Sequence, residues 1–118
     1  MVIIAEEKRF ENRVKKFLED EGAWFVKFFA NAYTKKGVPD ILACCNGYFV
    51  GIEVKAPNGK PSDLQKWNIQ KIKESGGYGV ILYPDQFDDF KDMIHYIGTC
   101  NKHFSLEIMN RINERWVE

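Results

Sequence analysis

The sequence predicts an α/β fold: a small mixed sheet flanked by helices, in the order helix, three strands, helix, strand, helix, with an extra C-terminal helix. Three observations predict it. Apolar residues recur at helical spacing near the start of the chain. Asn46-Gly47 lies between two apolar runs, the strongest short hairpin signal. A helix signature then stands between two strand-like runs, which favours a right-handed crossover and a parallel pair.

Residues 5–21 form the first predicted helix, because Phe10, Val14, Phe17 and Leu18 fall on one stripe and Gly22 supplies a stop. Residues 23–30 (AWFVKFFA) are aromatic and β-branched, the composition of a strand. A polar loop, 31–37, ends with Lys35 and Lys36. Residues 41–45 and 48–55 make the hairpin, and 56–61, with two prolines and a glycine, break its second strand. Ser62 opens the next helix with Gln65 three residues later in the capping-box pattern, and Gly76-Gly77 ends it. Residues 78–83 read as a strand. Pro84-Asp85 starts a helix with Phe87, Phe90, Ile94 and Ile97 on one stripe, and 104–116 form the last one.

At 118 residues, 45% of them hydrophobic, the chain has material for one ordinary core, so residues 1–118 are expected to form a single domain. The zero net charge hides an uneven layout. Residues 1–26 carry five basic and six acidic groups, 27–73 eight and three, and 74–118 four and eight. The basic middle third suits an anionic partner such as a nucleic-acid backbone. Cys44, Cys45 and Cys100 are odd in number and lack zinc spacing, which argues against a disulfide scaffold and for a reducing, cytoplasmic setting. No apolar stretch approaches the ~20 residues of a membrane helix, and 1–5 is too short for the apolar region of a signal peptide.

The hairpin carries the chemistry. Pairing Cys45 with Tyr48 across the turn places Asp40 opposite Glu53. Directly opposed residues hold their Cβ atoms roughly 4.5 to 5.5 Å apart, where like charges repel. Two carboxylates held so close need a cation between them, and hard divalent ions such as Mg2+ or Mn2+ take oxygen ligands. The Val54 carbonyl is a further candidate ligand. Lys55 lies two residues past Glu53 and so on the same face, either as a salt-bridge partner or as a group that orients water and holds charge at a phosphate.

Glu11 sits at the edge of the apolar stripe of the first helix, beside Leu18, where a carboxylate needs a partner. Glu7, one turn earlier, is the runner-up. Gln65 either closes the capping box or turns its amide toward the sheet. Lys35, Lys36, Lys60 and Lys66 flank these positions and are candidate phosphate contacts.

With these residues the chain resembles the PD-(D/E)xK, or restriction-endonuclease-like, nucleases, and within them the VRR-NUC domains. It is also similar to Holliday junction resolvases. The matching stretches are GVPDIL (37–42), GIEVKAPNGKPSDLQ (51–65) and the helix ENRVKKFLEDEG (11–22), so the resemblance spans about 5–97 and leaves 98–118 outside. It implies an αβββαβ core, metal held by Asp40, Glu53, Val54 and Glu11, a catalytic Lys55, and a supporting Gln65. It further implies a homodimeric Mg2+- or Mn2+-dependent DNA endonuclease selective for four-way junctions or other branched DNA. A non-catalytic nucleic-acid-binding module that keeps this fold is the alternative, and cleavage of RNA is a third reading.

Overall fold

The computed structural model describes residues 2–117, leaving the ends of the expected 1–118 domain, Met1 and Glu118, outside the described residues. It is an α/β structure with one four-stranded mixed sheet flanked by helices. The elements are α1 (Val2–Asp20), β1 (Trp24–Lys27), β2 (Ile41–Cys45), β3 (Tyr48–Val54), α2 (Asp63–Glu74), β4 (Tyr78–Leu82), α3 (Phe87–Gly98) and α4 (Lys102–Asn113). Strand order is β1-β2-β3-β4, antiparallel across the first two pairs and parallel between β3 and β4.

α1 buries Phe10, Val14 and Leu18 against one face of the sheet. It stops where Gly22 takes a φ of +76°, letting the Ala23 N–H reach back to the Leu18 carbonyl. β1 is shorter than the expected 23–30. Beyond its last pair with β2, Lys27 with Ile41, the Phe28 N–H still donates to the Asp40 carbonyl at 2.8 Å.

The hairpin closes as its turn residues require. Asn46 and Gly47 both adopt positive φ, +50° and +87°, and Cys45 pairs with Tyr48, Ile41 with Ile52. One step further along this register, Asp40 faces Glu53. Ser62 caps α2: its hydroxyl accepts from the Gln65 N–H at 3.1 Å, while the Ser62 N–H donates to Gln65 Oε1 at 2.9 Å. α2 lies close over the opposite face, where a Cβ on Gly79 would meet the Ile69 carbonyl at 3.1 Å.

A 3-10 turn, Pro84–Gln86, precedes α3, so the α-helix begins at Phe87 rather than at Pro84. α4 also differs from the expected 104–116. The Asn101 side chain accepts from the Phe104 N–H and starts the helix at Lys102. Its end belongs to the core: Ile108, Met109 and Ile112 pack with α1, α3 and the sheet. Asn113 closes the free edge of β4 by donating to the Gly79 carbonyl at 2.8 Å and accepting from the Ile81 N–H at 3.2 Å. Among the described residues no helix is long and apolar enough to cross a membrane.

Candidate active site

The entrance of β2, the exit of β3, the middle of α1 and the first turn of α2 converge on one spot. Asp40, just before β2, is fixed by the Val54 N–H, which donates to its Oδ2 at 3.0 Å. Glu53 is only 4% exposed. Its Oε2 accepts from Gln65 Nε2 at 3.0 Å and lies 3.7 Å from Lys55 Nζ. Its Oε1 is buried with no hydrogen-bond partner among the described residues. Burial and then the neighbouring negative charge of Asp40 push the Glu53 carboxyl up to about 8, against the pull of Lys55.

Gln65 therefore fills both roles open to it in the sequence. Its amide oxygen closes the capping box and its amide nitrogen holds Glu53, so the helix start and the site share one side chain. Lys55 touches Glu53 on the shared face that strand alternation requires.

Glu11 is 5% exposed and enters through an intermediary. Lys27 Nζ lies 2.7 Å from Glu11 Oε1 and 3.5 Å from Asp40 Oδ1, bridging helix to hairpin. Lys8 and Lys15 both reach the other Glu11 oxygen at 3.2 Å. Burial opposes ionisation of Glu11, yet Lys27, Lys15 and Lys8 outweigh it and hold the carboxyl below its ordinary value. Both Glu11 oxygens are thus engaged by lysines, and the structure does not bring it to the carboxylate pair as a third ligand. Glu7 is half-buried, and its charge adds to the pressure that keeps Glu53 protonated.

Lys27 joins the candidate site, though the sequence reading did not single it out. Its signal was present: a lone charge in an apolar strand, on the same side as Phe25, has to find an anion. The flanking lysines lie further out. Lys35 stands over the Trp67 ring at 5.6 Å, the Lys36 carbonyl accepts from Asn68, and Lys60 and Lys66 line an open groove.

The donor set fits a hard divalent cation. Asp40 and Glu53 offer carboxylate oxygens, Glu53 Oε1 has no hydrogen-bond partner among the described residues, and the Val54 carbonyl is adjacent in sequence. Among the described residues no group of three His, Cys, Asp or Glu side chains gathers to hold an ion, so a bound cation would take two carboxylates from the protein and its other ligands from water or substrate.

The family model described as archaeal Holliday junction resolvase (hjc) matches residues 5–77, which is more than half of the chain and includes Glu11, Lys27, Asp40, Glu53, Lys55 and Gln65. No curated protein matches it. The chain belongs to the archaeal Holliday junction resolvase family and is a resolvase-like nuclease of restriction-endonuclease-like fold.

Proposed function

We propose that the protein is a Mg2+- or Mn2+-dependent endonuclease that hydrolyses DNA phosphodiester bonds in four-way junctions or other branched DNA. One observation carries the reading: a buried Glu53, with one oxygen lacking a partner among the described residues, faces Asp40 and shares its side of the hairpin with Lys55. Asp40, Glu53 and the Val54 carbonyl would hold the ion, which would supply Lewis acidity toward the scissile phosphate and an attacking water. Lys55 orients that water and offsets charge that develops on the phosphate. Gln65 fixes the rotamer of Glu53, while the Val54 N–H and Lys27 fix Asp40. Glu11 acts through Lys27, keeping its ammonium between helix and hairpin. Lys35, Lys36, Lys60 and Lys66 surround this centre as phosphate contacts. The GVPDIL and GIEVKAPNGK stretches support a likeness to VRR-NUC domains in the same arrangement.

One such site cuts one strand, so paired cuts in a junction need two sites related by symmetry. A homodimer supplies them, and the part of the sheet face that α2 leaves open supports it: Trp24 is 65% exposed, Val26 and Phe49 are exposed on the same face, and Trp67 is exposed on α2. The three free cysteines support a reducing, cytoplasmic setting.

The test is a cleavage panel of single-stranded, duplex, flap and four-way-junction DNA, with RNA counterparts, in Mg2+ or Mn2+ and alongside a solution mass measurement. Wild-type protein is expected to cut branched DNA, and Glu53→Ala to bind it without cutting. Undiminished cleavage by Glu53→Ala sinks the mechanism, and binding without cleavage by the wild type in both metals favours a non-catalytic module.

A further inference from the structure

Beside the site runs a groove of about 520 Å3 between the 57–61 loop and the end of the chain. Lys60, Lys66 and Arg115 line it together with Tyr83 and Trp116, and none of the described lining residues is a carboxylate. It is built directly onto the catalytic strand. The Tyr83 hydroxyl donates to the Gly59 carbonyl at 2.7 Å, and a Cβ on Gly59 would lie 3.3 Å from Lys55 Cδ. The Arg115 guanidinium lies over the Tyr83 ring, 4.0 Å from its centroid, and one Nη engages Asp85, which leaves other N–H groups of its fork for an anion. Trp116 holds this end of the chain in place by packing on Ile69, Ile81 and Tyr83 and donating its indole N–H to Asn113 at 2.9 Å.

Resting on the nuclease reading, we propose that this groove carries the DNA strand next to the scissile phosphate, with Arg115 and Lys60 contacting backbone phosphates and Trp116 forming the wall beside the sugars and bases. The chemistry matches: a cationic channel with an aromatic wall recognises a polyanion with apolar faces, whatever its sequence. Gly59 in its wall adjoins the Lys55 side chain, so a strand in the groove runs beside the reacting centre. Arg115 and Trp116 lie beyond the residues matched by the family model, which end at 77.

The test measures binding of a four-way-junction oligonucleotide in EDTA as a function of salt, with thermal melting as a check of folding. Removing one phosphate contact lowers the slope of log affinity against log salt by about 0.9, which at 0.1 M salt is about eightfold weaker binding. Arg115→Ala is expected to show that loss and Arg115→Lys to retain the wild-type slope. Lys60→Ala, on an exposed loop away from the packing of the C-terminal segment, is expected to lose a similar amount. Arg111→Ala, whose guanidinium is tied to Asp89 outside the groove, is expected to bind as wild type. Wild-type slope and affinity in both Arg115→Ala and Lys60→Ala, or an equal loss in Arg111→Ala, overturns the groove while leaving the nuclease reading in place. Wild-type protein that binds no junction at all overturns both.

Discussion

In the metal-free protein Glu53 makes stability depend on pH in an unusual direction. Its carboxyl titrates near 8 when folded, against 4.5 ordinarily, so between those values the folded state holds a proton that the unfolded chain releases. A raised acid pKa therefore gives stability that is fully present below about 4.5 and falls as pH rises toward 8, where the loss is complete. At pH 7 the group has passed through about 2.5 pH units of this window, which at ~1.4 kcal/mol per unit is about 3 kcal/mol. Glu53→Gln keeps the shape and removes the charge, so the variant is expected to be more stable than wild type by about that amount at neutral pH and to match it near pH 4.5. For a domain of this size, 3 kcal/mol corresponds to a melting difference on the order of 10 °C. The assay is thermal or urea unfolding of both proteins in EDTA from pH 5 to 8.5. Parallel pH profiles for the two would refute the reasoning, because they would mean that Glu53 is not held protonated in the folded state. Added Mg2+ or Mn2+ is expected to raise the melting temperature of the wild type and not of Glu53→Gln.

Two further perturbations follow from contacts between distant segments. Lys27→Met removes the bridge from Glu11 to Asp40 and leaves Glu11 to Lys8 and Lys15; a loss of about 1 to 2 kcal/mol in urea unfolding is expected, with a fall in cleavage rate as Asp40 loosens. An unchanged rate would mean that Lys27 serves the fold alone. Asn113→Ala strips the edge of β4 of two hydrogen bonds in a buried position and is expected to cost about 2 to 3 kcal/mol, with faster amide exchange at Ile81 as its specific signature.

The hairpin was legible in the sequence because its information is local. Asn46-Gly47 selects the turn, the turn sets the register, and the two-residue period then places Asp40, Glu53 and Lys55 together. The capping box of Ser62 and Gln65 was equally local. The element ends were less so: α4 starts two residues earlier than its apolar pattern suggests because Asn101 caps it, and β1 pairs only as far as Lys27.

The order of elements, the hairpin register and the opposed carboxylates with their lysine can be read from residue spacing alone, because they follow from turn chemistry and side-chain period over short stretches. How those groups are held depends on packing between distant segments. Lys27 reaches across 16 residues to Glu11, and Gln65 across 12 to Glu53. Arg115 meets Tyr83 only after α4 has packed along β4. Those pairings depend on how helices seat against the sheet, and burial then sets the charge state of Glu53; neither quantity is written in the spacing of residues along the chain.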